Sequence, residues 1–174
     1  MINHISNFLN EYQINKLYEI WFNSNLEHYI QTGNKYKLEL INFTDKFDDL
    51  NLDFLFDRKF YNKLLLQAVD ETHNDSLYGN RFHSHVNEWT SVIYLNTNYD
   101  GGELEFKDGK SIKPNKGDLI YFSENEYHKV NFPYNFTEEY YIDKNNKSHK
   151  ITKRLSLVSF LNTDVLNTSD KKLF

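Results

Sequence analysis

The stretch FHSHVNEWTSVIYLN, residues 82–96, decides how this chain is read. Its second half, Trp89 to Asn96, is rich in aromatic and β-branched residues and reads as a strand. In an extended chain, residues i and i+2 share a face, so His83 and His85 can point at one atom. Two further stretches carry matching signals. GDLIYFSENEYHKV, residues 117–130, is a strand followed by His128. KRLSLVSFL, residues 153–161, places Arg154 at the head of an apolar run. Three imidazoles that converge would suit a transition metal. A guanidinium buried in a strand wants an anion, because leaving it unpaired is costly, and its planar fork fits a carboxylate.

Working outward, short aromatic or β-branched runs alternate with Gly, Asn, Asp and Pro turns from about residue 76. The spacing predicts strands over 78–86, 89–96, 102–107, 110–113, 118–122, 127–132, 137–142 and 151–161. Five of the six glycines fall between Gly79 and Gly117, where tight turns are needed, and Asp108-Gly109 is a hairpin signal. Upstream, Leu17, Ile20, Trp21, Leu26 and Ile30 predict an amphipathic helix or helix pair over 10–31, ended by Thr32-Gly33-Asn34. Lys35 to Phe43 alternates like a strand. Phe60, Leu64, Leu65 and Ala68 predict a second helix over 57–70, with Asp57 as its N-cap.

The expected fold is mainly β: a double-stranded β-helix, or jelly roll, with N-terminal helices packed on one sheet. At 174 residues the chain is expected to be a single domain. Residues 1–75 would form a helical support region with one or two strands, 76–161 the jelly-roll core and 162–174 a C-terminal tail. Composition supports a β-rich core, with 14 Phe and 13 Tyr against a lone Ala, Ala68.

The net charge of −5 gives no electrostatic case for nucleic acid. An acidic stretch (Asp45, Asp48, Asp49, Asp53, Asp57) and a basic one (Lys144, Lys147, Lys150, Lys153, Arg154) read as solvated faces. With no Cys, disulfides and thiolate-bound metals are excluded. No apolar run approaches the roughly 20 residues of a membrane span, and the first residues do not resemble a signal peptide, so a cytoplasmic location and no membrane partner are expected. The sequence is silent on oligomeric state.

Around the histidines lie further pieces in a fixed order. Tyr94-Leu95-Asn96 is followed by Gly101-Gly102-Glu103-Leu104, then Pro114 and Gly117-Asp118-Leu119 to Phe122, then His128, then Arg154-Leu155-Ser156. In this series the chain, over about residues 76–161, resembles the prolyl-hydroxylase-like Fe(II)/2-oxoglutarate oxygenases. The resemblance departs at one position. The usual first motif is His-x-Asp, giving two imidazoles and one carboxylate to the iron, and here the third position is His85. Some short members of the wider family also read His-x-His, followed by a Ser and a Tyr-Leu strand, as Ser91 and Tyr94 do here.

The resemblance implies a metal site of His83, His85 and His128. Two rivals stay open: His85 as first ligand with Glu88 or Asn87 supplying oxygen, or His83 and His128 alone with His85 behind them. It also implies that Arg154 binds the far carboxylate of 2-oxoglutarate, helped by Ser156 and Tyr94. The implied activity is hydroxylation of an unactivated C–H bond of a peptidyl or free amino acid, with release of succinate and carbon dioxide. Fe(II), 2-oxoglutarate and O2 would be required, and ascorbate is admitted as reductant. Glu103 and Asp118 read as turn-shaping residues, and Trp89 as core, with a substrate platform as the alternative. The long interval from His128 to Arg154 reads as an insertion near the metal mouth, either a lid or an extended hairpin. Within it, 134–141 could line a substrate groove. Two other classes compete: a cupin-like metal enzyme without 2-oxoglutarate chemistry, and a non-catalytic jelly-roll module.

Overall fold

The computed structural model describes residues 1–24, 29–32, 35–40, 61–71, 81–86 and 88–162. One helix is described, α1 (Glu11–Asn23), and fourteen strands. Strand β1 (Ile2–Ile5) precedes the helix. β2 (Tyr29–Thr32), β3 (Lys35–Glu39) and β4 (Tyr61–Val69) follow it. Then come β5 (Glu88–Tyr94), β6 (Asp100–Gly101), β7 (Leu104–Phe106), β8 (Ser111–Ile112) and β9 (Leu119–Phe122). The chain continues with β10 (His128–Val130), β11 (Pro133–Tyr134), β12 (Tyr140–Ile142), β13 (Ser148–Lys150) and β14 (Arg154–Asn162).

Seven strands form the large antiparallel sheet, in the order β1-β9-β5-β14-β4-β3-β2. A smaller sheet, β10-β7-β8, faces it, with the pair β11-β6 alongside. This is the expected mainly-β jelly roll. Each strand of the large sheet sorts its side chains by parity. Leu64, Leu66 and Ala68 of β4, with Leu155 and Leu157 of β14 and Ile93 of β5, join the core under α1. Leu65, Val92, Val158, Ile120 and Phe122 face the small sheet and meet Leu104, Phe106 and Ile112. Helix α1 closes the first of these cores with Ile14, Leu17, Tyr18 and Ile20. Its N-terminus carries a capping box, in which the Gln13 amide donates to Asn10 Oδ1 and the Asn10 amide to Gln13 Oε1.

Three expectations are corrected. The helix expected over 10–31 ends at Asn23, and its far end is β2, paired antiparallel to β3; Thr32 therefore closes a strand rather than a helix. The helix expected over 57–70 is not formed at 61–69, which is β4, tied to β14 from Arg154↔Val69 to Leu161↔Tyr61. The physical reason is burial on both faces. A strand inside a covered sheet is apolar at successive positions, and Leu64-Leu65-Leu66 satisfies that as well as a helical spacing does. The region before 75 thus holds four described strands, not one or two. The proposed N-cap Asp57 lies outside the described residues, as do 78–80 and the tail beyond 162, and the described part of the expected strand 78–86 forms only an isolated bridge at His83.

Of the two readings of the insertion, the structure shows the extended hairpin, and it lies away from the expected metal mouth. Strands β12 and β13 pair as a hairpin that packs on α1. Tyr141 lies against the Tyr18 and Phe22 rings at centroid distances of 5.5 and 5.8 Å, His149 stacks on Phe22 at 4.8 Å, and Lys144 pairs with Glu19 at 3.1 Å. It covers the helix side of the large sheet, away from the histidines. Tyr141 of β12 finds its aromatic partners there in Tyr18 and Phe22, and none of residues 134–141 is among those lining the pocket.

Candidate metal and co-substrate site

The two sheets part at one end around a cavity of about 130 Å³, lined from above by His83, His85 and His128 and from below by inward residues of the large sheet. His128 opens β10, and His83 reaches it by a two-way backbone bridge, each amide donating to the other's carbonyl at 2.9 Å. That bridge, rather than a full strand, brings the His-x-His pair beside a residue 43 positions on. The potential ligand atoms of His83, His85 and His128 all lie within 4.8 Å of one another. Ring centroids are 4.4 Å apart for His83 and His128, and 5.1 and 5.3 Å from each to His85.

The tautomers suit metal binding. His83 Nδ1 lies 3.0 Å from the Arg81 carbonyl, and His128 Nδ1 lies 2.9 Å from the Glu126 carbonyl. A carbonyl only accepts, so each Nδ1 carries the proton and each Nε2 keeps its lone pair for an ion. His128 is buried against Phe122, whose ring centroid is 4.5 Å away, and His85 abuts Phe160 at 4.8 Å. Burial, then the neighbouring His83, pushes the His85 imidazole down to about 4, so it is neutral at physiological pH. Glu88, the alternative ligand, opens β5 opposite Asn162 and is not part of the three-histidine cluster among the described residues. Asn87 lies outside the described residues.

Arg154 sits at the head of β14, 3 % exposed. Its Nη1 donates to the Asn131 carbonyl at 3.2 Å, and its Nε has no partner. Asn96 holds the backbone on either side of it. The Leu155 amide donates to Asn96 Oδ1 at 2.7 Å, and Asn96 Nδ2 donates to the Lys153 carbonyl at 2.9 Å. Tyr94 and Ser156 lie opposite one another in the β5–β14 register and both line the pocket. The Tyr94 hydroxyl is buried and has no hydrogen-bond partner; burial raises its pKa, with Arg154 opposing. A buried donor left unpaired is costly, and here two such donors converge beside a buried positive charge. That donor set fits a carboxylate, and the three imidazoles fit Fe(II).

The site adds residues the sequence reading missed. Tyr99 is also buried, with a hydroxyl unpartnered among the described residues, and burial raises its pKa while Arg154 opposes. Gly102 makes room for it: at φ +73, a Cβ there would meet the Tyr99 ring at 2.6 Å. Lys37 of β3 and Gln67 of β4 line the pocket floor. Reading 61–69 as a strand would have placed Gln67 on the inner face with Leu65.

Other expected roles resolve structurally. Asp118 is buried and accepts from the Asn7 and Asn115 amides at 3.0 and 2.9 Å, and pairs with His4. Glu103 faces Lys113 and accepts from Asn131, and Trp89 packs on the helix-side core.

The sequence profile of the 2OG-Fe(II) oxygenase superfamily matches residues 67–162, more than half of the chain. The chain belongs to the 2OG-Fe(II) oxygenase superfamily. It is therefore an oxidoreductase of a family that uses Fe(II), 2-oxoglutarate and O2. Solved structures agree on the fold. An oxidoreductase of the 2OG-Fe(II) oxygenase family from Burkholderia pseudomallei is 15% identical, with TM-score 0.65, covering 92% of this chain and 84% of that one. HygX from Streptomyces hygroscopicus, with nickel and 2-oxoglutarate bound, is 9% identical with TM-score 0.58, covering 93% and 83%. The viral collagen prolyl hydroxylase of Paramecium bursaria Chlorella virus-1, as its 2-oxoglutarate complex, is 14% identical with TM-score 0.51, covering 91% and 94%. No curated protein sequence matches the chain. Among the described residues no helix is long and apolar enough to cross a membrane.

Proposed function

We propose that this oxygenase hydroxylates an unactivated C–H bond of a peptidyl or free amino acid, with release of succinate and carbon dioxide. His83, His85 and His128 hold Fe(II) through their Nε2 atoms, and Arg154, Tyr94 and Ser156 anchor 2-oxoglutarate. The metal, when bound, supplies the activation of O2 that organic side chains cannot. The chain's own task is to hold three neutral ligands on one side of the ion, leaving the other side for co-substrate and oxygen. Phe122, Phe160 and Val158 keep the surroundings apolar, and Arg154 fixes the length and direction of the co-substrate.

The observation that carries this reading is the pair of buried, unpartnered donors, Arg154 Nε and Tyr94 hydroxyl, within reach of a three-histidine cluster. A cupin-like enzyme without 2-oxoglutarate has no use for that pair, and a non-catalytic module has no use for the aligned imidazoles. The test is titration of 2-oxoglutarate into anaerobic Fe(II)-loaded protein. A visible charge-transfer band, together with succinate formation in air, is expected. Absence of the band at millimolar 2-oxoglutarate, with metal shown to be bound, overturns the reading in favour of the cupin-like one.

A further inference from the structure

Four strands of the large sheet present one row of inward side chains. Tyr94 of β5 lies opposite Ser156 of β14, Ser156 opposite Gln67 of β4, and Gln67 opposite Lys37 of β3. All four line the pocket. The β5–β14 end of this row belongs to the proposed co-substrate anchor. Lys37 stands two strands from β14, and neighbouring strands are roughly 4.8 Å apart, so its Cα is roughly 10 Å from that of Ser156. The row thus carries a second cation on the far side of the pocket from Arg154.

Lys37 is half-buried, and among the described residues no carboxylate lies within ion-pair distance of it. It lines the same pocket as His85. The charge balance of the described lining points the same way. Among the described residues, no Asp or Glu lines the pocket. A divalent ion held by three neutral imidazoles keeps both charges, whereas the usual carboxylate ligand would offset one. Dianionic 2-oxoglutarate cancels the ion, and Arg154 and Lys37 then have no carboxylate among the described lining residues to offset them, Glu88 and Glu103 lying outside that lining. Such a site favours a further anion.

We propose that Lys37, with the Gln67 amide beside it, holds a carboxylate of the substrate to be oxidised. The substrate class this favours is a free amino acid or similar small carboxylic acid, whose α-carboxylate an internal peptide residue lacks. This rests on the oxygenase reading above and chooses between its two substrate classes. Lys37 supplies a point charge and Gln67 a donor, and together they orient the substrate across the floor toward the histidines.

The test needs no turnover. Protein loaded with Mn(II) and saturated with 2-oxoglutarate is titrated with free amino acids, each paired with its carboxamide. Binding is read from the relaxation that Mn(II) imposes on the ligand protons. At least one amino acid is expected to bind about tenfold or more tightly than its carboxamide, as expected for a hydrogen bond to a charged group. Asp and Glu, set against Asn and Gln, report whether the side-chain carboxylate or the α-carboxylate is the one recognised. Lys37→Met should abolish the preference and Lys37→Arg restore part of it. Lys63→Met, which removes an exposed cation outside the pocket, should leave it intact. The 2-oxoglutarate dissociation constant should stay within about twofold in Lys37→Met. Equal relaxation of acids and amides, or of none, overturns the proposal. So does an equal loss of 2-oxoglutarate affinity in Lys37→Met, which would assign Lys37 to the co-substrate. Failure of the wild-type protein to bind 2-oxoglutarate, seen before any amino acid is added, would instead sink the oxygenase reading on which this one stands.

Discussion

Replacing Arg154 by Ala, and Tyr94 by Phe, separates an anchor from an ordinary pair of sheet residues. Arg154 is 3 % exposed and makes one hydrogen bond through Nη1, to the Asn131 carbonyl. Its Nε is free for a ligand. Truncating one partner of a buried, hydrogen-bonded charge pair costs about 2–5 kcal/mol. At 1.4 kcal/mol per tenfold, Arg154→Ala should weaken 2-oxoglutarate binding roughly 30- to 3,000-fold. Tyr94→Phe removes one donor to a charged acceptor, about 1.5–3 kcal/mol, or roughly 10- to 150-fold. The two variants should differ in stability. Tyr94→Phe deletes a buried hydroxyl that has no partner in the ligand-free protein, so its urea midpoint should be unchanged or raised. Arg154→Lys should recover only part of the loss, since the ammonium lacks the planar fork. The assay is anaerobic titration followed by the charge-transfer band, with metal content checked in each variant. A dissociation constant within about twofold of wild type in both Arg154→Ala and Tyr94→Phe would refute the anchor.

His85→Ala should weaken Fe(II) or Mn(II) binding in equilibrium dialysis while Glu88→Gln does little; the reverse would pass the third ligand to Glu88. His85→Asp is expected to keep succinate formation, because it rebuilds the commoner two-histidine, one-carboxylate set. Asp118 is pushed up by burial but more strongly down by the Asn115 and Asn7 amides and His4, for a net lowering. Its contribution is then complete above the unfolded carboxylate value of about 3.9 and lost as pH falls through its lower folded value. Asp118→Asn should cost about 1–3 kcal/mol at neutral pH. The gap from wild type should close in acid, and a gap independent of pH in urea unfolding would contradict this. Leu66→Ala, fully buried in the centre of β4, should cost about 2–5 kcal/mol. A loss below about 1 kcal/mol would argue against β4 as a core strand.

Between residues 89 and 161 the sequence marked the places of most strands. Strands there are short, half-buried and bounded by turn residues, so period-2 alternation marks both their places and their inward faces. That parity placed Arg154 with Ser156 on β14, whereas His83 and His85 lie in a segment that forms only a bridge, at His83. Tertiary structure decided the rest, wherever a residue's role depends on partners far along the chain. The helix-like run at Leu64 and Leu65 became β4 because β3 and β14 cover its edges while cores lie on both its faces, a choice the local spacing leaves open. Once β4 is a strand, Gln67 and Lys37 turn into the pocket by register, and no local pattern could have shown it. The hairpin at 140–150 could have gone to the metal mouth or to the helix, and Tyr18 and Phe22 drew it to the helix. Periodicity is a property of neighbours in sequence, whereas a pocket floor is assembled from strands whose order the sequence does not spell out.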